Sequence, residues 1–369
     1  MNLVNEINFD IPIKTIILQA GIAGRAADIC SGLGKTLLIC DENTKDFVSE
    51  GNERIILPGN QKPELELARE LSKHQPDYFI AVGSGSLNDV VKYASFLAGK
   101  PYIVFGTAPS MNGYVSANVS LLENGYKKSF FAKSPEAAYF DLEILENAPK
   151  RLRNSGIGDA ICRSVAQSDA ILSTQVTGSP LYEDLFALLK KYEADIFDDI
   201  EALTKTLVFG GIAMLLAKSS APASQGEHML AHYMELMQPN APQSYHGEQI
   251  AVTTVTMAKL QERLLSSHDY VEINSIPEDE INKHFGDDFG KYCSEQTHKK
   301  YDPILGKKIK INRQAIEKNL IKLETIRKKL ENIGAPVEAK NIGWDKNIYE
   351  NAIKFTRYTR DRFTFLDLV

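Results

Sequence analysis

Three of the chain's seven histidines fall in one short stretch, Ser224 to Gln249, reading SQGEHMLAHYMELMQPNAPQSYHGEQ. His228 and His232 are four residues apart, so on a helix both imidazoles leave one face, a turn from each other. That spacing suits chelation of a metal ion. His246 follows fourteen residues after His232, beyond Pro239 and Pro242, which end the helix and turn the chain. No H-E-x-x-H zinc-peptidase motif forms, because position 229 is Met and the general-base glutamate is missing. Asp159, upstream, is a carboxylate that can join His228 and His246. Three protein ligands with an open position describe a catalytic metal rather than a structural one, and this donor set suits zinc, nickel and iron alike. Each residue also has an ordinary reading, the histidines as polar groups on helix faces and Asp159 as an acid in the first turn of a helix.

A second constellation points to a nucleotide. Tyr78 to Val82 reads as a strand, running into Gly83-Ser84-Gly85-Ser86-Leu87-Asn88-Asp89 and then a helix. Glycines at a strand-to-helix turn let backbone approach a pyrophosphate, while the helix N-terminus offers free N–H groups and positive dipole. Asp41 ends an earlier strand. It can accept from an adenosine ribose and repel a 2′-phosphate, which favours NAD over NADP, or it can cap a turn. Thr107, Ser110 and Ser116 lie in the loop Gly106 to Ser116 after a further strand, where hydroxyls and glycines suit the lining of a cofactor cleft or a plain turn.

These residues require two kinds of scaffold. Buried apolar strands at 15–18, 35–40, 54–57, 78–82, 101–105 and 137–140 alternate with helices in the N-terminal part, the pattern of a parallel sheet covered on both faces. Residues 123–126 read as a hairpin tip with a returning strand over 127–132. From about Ser155 strands stop and helices are expected over 156–170, 179–197, 198–220, 224–237, 248–266, 277–285, 313–333 and 345–361. The expected architecture is therefore an α/β nucleotide-binding domain, residues 1–155, followed by an all-α domain, residues 156–369. The boundary is read at Gly156 and Gly158, which would set Asp159 in the first turn of the first helix of the bundle.

Composition narrows the partners. With 369 residues, 43% apolar and 24% charged, the chain can bury two cores. A net charge of −6 and a pI near 5.8 argue against a broad nucleic-acid footprint. The N-terminus lacks a basic region followed by an apolar one, so no secretory signal is expected. The apolar run Leu207 to Ala217 falls short of the roughly 20 residues of a membrane span and reads as a buried helix. Cys30, Cys40, Cys162 and Cys293 form no C-x-x-C pair and look like reduced thiols of a cytoplasmic protein.

Taken in order, GSGSLND at 83–89, TAPSMNGYVS at 107–116, SGIGDAIC at 155–162, SSAPASQGEHMLAHYME at 219–235, HGEQ at 246–249 and RDRFTFLDL at 360–368 make the chain resemble the sn-glycerol-1-phosphate dehydrogenases. These lie within the superfamily of dehydroquinate synthase-like and iron-containing alcohol dehydrogenases. The resemblance implies the dehydroquinate synthase-like fold with an active site in the cleft between its two domains, NAD, and a divalent metal on Asp159, His228 and His246. It also implies a substrate contact from His232, and a cofactor site that includes Gly85, Asn88, Asp89, Thr107, Ser110 and Ser116. There are two departures. Asn112 stands where the family usually has aspartate, trading a charge for an amide donor at a substrate contact. Arg163 stands where many members have lysine, keeping the charge but changing its shape.

The implied reaction is hydride transfer between NAD(H) and dihydroxyacetone phosphate or sn-glycerol 1-phosphate, in a homo-oligomer of two or more chains. Lys127, Lys128, Lys150, Arg151, Arg153 and Arg163 are candidate phosphate-binding cations. Two other enzymes fit the same scaffold: a polyol dehydrogenase acting on an unphosphorylated substrate, and a dehydroquinate synthase-like lyase. A nucleotide-binding protein without turnover is opposed by the three retained ligands.

Overall fold

The structure is a computed structural model and describes residues 2–48 and 53–369. By contacts the chain divides into two units, Met1–Ala160 with Leu189–Ser219, and Ile161–Leu188 with Ser220–Val369. A single division at 155/156 was expected; the segments that differ are residues 156–160 and Leu189–Ser219, a helical stretch that packs with the first unit.

In that unit β1 (Thr15–Leu18), α1 (Ala26–Cys30), β2 (Thr36–Asp41), β3 (Glu53–Leu57), α2 (Leu65–Ser72), β4 (Tyr78–Gly83), α3 (Gly85–Ala98) and β5 (Tyr102–Gly106) come first. The hairpin β6 (Asn118–Glu123) and β7 (Tyr126–Phe131), then β8 (Ala137–Phe140), α4 (Leu142–Glu146) and α5 (Lys150–Ala160), follow. Six strands form one parallel sheet in the order β1-β8-β5-β4-β2-β3. Central strands β2, β4 and β5 are buried along nearly their whole length, as parallel strands covered on both faces must be. The edge strand β3 alternates instead, with Ile56 exposed.

After α6 (Arg163–Thr177) and α7 (Glu183–Lys190), helix α8 (Ile200–Ala217) returns to the first unit. By length and composition α8 is apolar enough to cross a membrane, yet 78% of it is buried within the fold. Its Gly210 and Gly211 explain the packing. A Cβ on Gly211 would stand 2.5 Å from the Asn112 carbonyl oxygen, and one on Gly210 3.1 Å from Asn112 Cβ. These glycines seat the loop that follows β5.

The second unit holds α6, most of α7, α9 (Gly226–Met237), α10 (His246–Ser267), α11 (Glu278–Phe285), α12 (Asp287–Tyr301), α13 (Arg313–Glu317), α14 (Leu323–Ile333) and α15 (Lys346–Phe355). It also carries a two-stranded antiparallel ribbon, β9 (Tyr270–Glu272) with β10 (Lys308–Lys310), which sequence reading did not anticipate. Strands of three residues are too short to display alternation. The single helix expected over 313–333 is two, because Asn319 and Leu320 turn back to Ile316 and Glu317 with i→i+3 bonds. The chain's last turn is tied down from inside: Asp367 accepts from Lys300, from Tyr301 at 2.6 Å and from the Thr364 N–H at 2.7 Å, all buried.

Candidate active site

In the first unit the expected nucleotide residues gather at the carboxyl edge of three adjacent strands. Gly83 at the end of β4 pairs with Gly106 at the end of β5, and the Thr107 N–H donates to the Gly83 carbonyl at 3.2 Å. The Gly-rich turn and the hydroxyl-rich loop therefore leave the sheet side by side, where open α/β sheets bind ligands. Gly85 opens α3; a Cβ there would stand 2.8 Å from Met111 Sδ, so the two loops touch at this glycine. Ser86 is exposed, whereas Asn88 is wholly buried. Asp41 ends β2, one strand over from β4. Its Oδ1 accepts the Asn43 N–H at 2.9 Å and lies 2.9 Å from the Thr44 hydroxyl, so it caps a turn.

Asp89 and Ser116 serve the loop from within. Asp89 accepts from the Ser120 N–H at 2.9 Å and from Asn88 Nδ2 at 3.3 Å. One helical turn on, Lys92 is fully buried and donates to the carbonyls of Gly113 (2.6 Å), Ser116 (3.0 Å) and Asn118 (3.2 Å). Burial pushes the Lys92 ammonium down to about 8 against the pull of Asp89, and burial likewise raises the Asp89 carboxyl. Ser110 is buried, and its carbonyl accepts from the Ser155 hydroxyl at 3.3 Å.

Asp159 is 2% exposed and lies in the last turn of α5, not the first turn of a bundle helix as expected. Gly156 and Gly158 are helical. A Cβ on Gly156 would stand 1.7 Å from the Pro109 carbonyl oxygen, so this glycine marks close approach of helix to loop rather than a boundary. That approach lets Asp159 Oδ2 accept the Asn112 N–H at 2.9 Å. Asn112, the departure from the family pattern, and Asp159, the expected carboxylate ligand, are thus neighbours.

In the second unit the three histidines converge. Ring centroids of His228 and His246 are 5.1 Å apart, and His232 lies 6.4 and 6.3 Å from them. His228 and His246 bring ligand nitrogens within 4.8 Å of each other. His246 is the first residue of α10, two earlier than the helix start expected at Glu248. Glu248 reaches back to the Tyr245 N–H at 2.8 Å and fixes that start. His228 Nδ1 lies 2.8 Å from Glu227 Oε1, and half-exposed His232 Nδ1 lies 3.1 Å from Glu235 Oε2. Two imidazoles whose nitrogens approach this closely are a donor pair that fits a divalent ion. Of the candidate phosphate cations, Arg163 is buried, while Lys127, Lys128, Lys150 and Arg151 are exposed.

The iron-containing alcohol dehydrogenase family model matches residues 22–149. A glycerol-1-phosphate dehydrogenase [NAD(P)+] of Sulfurisphaera tokodaii is 32% identical over 259 residues, covering 67% of this chain and 73% of the relative. The chain belongs to the glycerol-1-phosphate dehydrogenase family. A member from Bacillus subtilis is 26% identical over 364 residues, 90% of this chain and 84% of its own length. Among solved structures, a probable glycerol dehydrogenase from Sinorhizobium meliloti superposes with a TM-score of 0.64 at 14% identity, covering 95% of this chain and 90% of its own. That likeness confirms the fold class.

Two buried charged residues beside these groups escaped sequence reading. Lys92 follows Asp89 by three positions, a detectable helix pair, but lysines on a helix are ordinarily solvated. Glu227 adjoins His228, and adjacent helix residues do not share a face.

Proposed function

We propose that the chain is a metal-dependent dehydrogenase passing hydride between NAD(H) and dihydroxyacetone phosphate or sn-glycerol 1-phosphate, with one divalent ion held by Asp159, His228 and His246. The observation that carries this reading is the convergence of His228 and His246 in a member of a family whose relatives bear that enzyme's name. A divalent ion in this donor set supplies Lewis acidity toward the ketone oxygen. NADH bound there would supply the hydride for the carbonyl carbon, and the oxygen would take up a proton. His232, held by Glu235, is placed one turn from His228 to bind a substrate hydroxyl or relay that proton. The Gly-rich turn at 83–86 and the start of α3 take the pyrophosphate. Asp41 favours NADH over NADPH, with its Oδ1 capping the turn that follows β2.

The test is an NADH-oxidation screen with metal supplied, comparing dihydroxyacetone phosphate with dihydroxyacetone. Turnover of the phosphorylated ketone supports the reading. Turnover of the unphosphorylated one alone favours a polyol dehydrogenase, and phosphate release without net NADH change a lyase. Asn112 gives the sharper arm: losing a charge-assisted hydrogen bond amounts to about 1.5–3 kcal/mol, so Asn112→Asp should raise kcat/KM for dihydroxyacetone phosphate by roughly 10- to 100-fold. A fall instead means that asparagine is adapted to another ligand.

The reading includes a cytoplasmic homo-oligomer. It is supported by four cysteines that form no disulfide with one another and by the outer strand β7, where Tyr126 and Phe131 are exposed. Light scattering of the purified chain tests the assembly.

A further inference from the structure

Helix α9 opens Gly226-Glu227-His228, and its first turn leaves backbone N–H groups to be satisfied. Glu227, fully buried, places Oε1 2.8 Å from the Gln225 N–H and 2.8 Å from His228 Nδ1. One carboxylate oxygen thus gathers a backbone donor and a ring nitrogen. The backbone beneath it is pinned independently: Asp169 Oδ2 accepts the Gly226 N–H at 3.0 Å, and Arg362 donates to the Ser224 carbonyl. A Cβ on Gly226 would stand 2.5 Å from Met257 Cε and 2.8 Å from Asp169 Oδ2, so the helix start packs closely against both side chains. His232 contrasts with this, its partner Glu235 lying three residues on at a half-exposed face.

A carboxylate only accepts, so a 2.8 Å contact to Nδ1 requires the proton on Nδ1 and leaves the lone pair on Nε2. We propose that Glu227 is the positioning residue that holds His228 in the Nδ1–H tautomer and presents Nε2 to a divalent cation. This rests on the metal reading above. A buried carboxylate behind a ligating imidazole fixes ring orientation and raises ligand basicity, an effect worth tenfold to a hundredfold in metal affinity. The same atoms admit a competing arrangement, because Cys162 Sγ, a Glu227 oxygen and a His228 nitrogen also lie within 4.8 Å of one another. In that case Glu227 would be a direct ligand beside a thiolate. Existing contacts oppose it: Glu227 Oε1 and His228 Nδ1 are bonded to each other, and Cys162 Sγ lies 3.8 Å from the Ala223 carbonyl oxygen.

The experiment uses the full chain stripped of metal, with zinc affinity read by competition against a chromophoric chelator and cobalt(II) spectra recorded in parallel. Expected are loss of zinc binding in His228→Ala, a tenfold to hundredfold weakening in Glu227→Gln with an unchanged apo circular dichroism spectrum, and unchanged binding in Cys162→Ser. The cobalt form should show no thiolate charge-transfer band. Parent-like affinity in Glu227→Gln, with binding lost in His228→Ala, overturns the positioning role and leaves the metal reading standing. Weakening in Cys162→Ser with a thiolate band makes Glu227 a ligand and overturns it too. No zinc binding by the parent overturns both. Should Glu227→Gln fail to fold, ¹⁵N NMR of the parent decides: a His228 proton on Nε2 sinks the proposal, and one on Nδ1 upholds it.

Discussion

In the first unit the backbone needing support is a loop, Gly113 to Asn118, whose carbonyls point inward, and a buried lysine meets three of them. In the second it is a helix start, whose free groups are N–H donors, and buried carboxylates meet those: Asp169 takes the N–H groups of Gly226 and Phe365, and Glu227 that of Gln225. The sign of the buried ion follows the polarity of the orphaned backbone. Each ion also has a charged neighbour. Asp89 offsets Lys92, whereas Glu227 adds to the strain on Asp169, which burial pushes up to about 8.

The strongest test of this contrast is Lys92→Met, which leaves three carbonyls and the Asp89 charge buried without it. Breaking such a pair costs about 3–5 kcal/mol, read by urea unfolding. Adding Asp89→Leu should recover part of the loss, and strict additivity of the two would refute the coupling. Asp169→Asn should cost less, about 1.5–3 kcal/mol, because the amide retains one acceptor oxygen.

The pH signatures of these variants should run in opposite directions. Lys92 has a folded pKa near 8 against an unfolded value of about 10.4, so the folded state binds fewer protons in that window and its stability rises with pH. The parent's advantage over Lys92→Met therefore grows between those values. Asp169 has a folded pKa near 8 against about 3.9 unfolded, so stability falls as pH rises through that window. The parent's advantage over Asp169→Asn shrinks there. Parallel profiles would break the comparison.

Gly156→Ala separates space from charge. Its methyl would stand 1.7 Å from the Pro109 oxygen, and overpacking of this kind costs about 1–3 kcal/mol. The resulting stability deficit should show no pH dependence of either sign. The smallest effect is expected outside both networks. Half-exposed Glu338 is held down to about 2 by hydrogen bonds from Lys340 and Arg327. A depressed carboxylate contributes stability above its unfolded pKa and loses it as pH falls toward the folded one. Glu338→Gln should therefore leave Tm at pH 7 nearly unchanged in physiological salt and flatten acid unfolding only slightly.

How far this could be seen in advance varied with how local the cause was. Residues 15–140 announced a parallel sheet because fully buried strands must be apolar on both faces, and glycine after β4 announced a turn. His228 and His232 could be paired because helix spacing is periodic. The ribbon β9–β10 is shorter than any period. The two-residue error at His246 arose because a helix start is set by a cap, here Glu248 on the Tyr245 N–H, which is a hydrogen bond rather than a pattern.

The sequence by itself determined the element types of the first unit, the candidate ligands and the family resemblance, since all rest on residue identity at short range. Only the tertiary structure decided that Gly156, Gly210 and Gly211 are contact points for the Asn112 loop, that Leu189–Ser219 packs with the first unit, and that Asp159 ends a helix instead of opening one. It alone turned Lys92 and Glu227 inward. Burial is a property of what packs around a side chain, and the partners that make a charged residue worth burying come from segments that no local spacing connects to it.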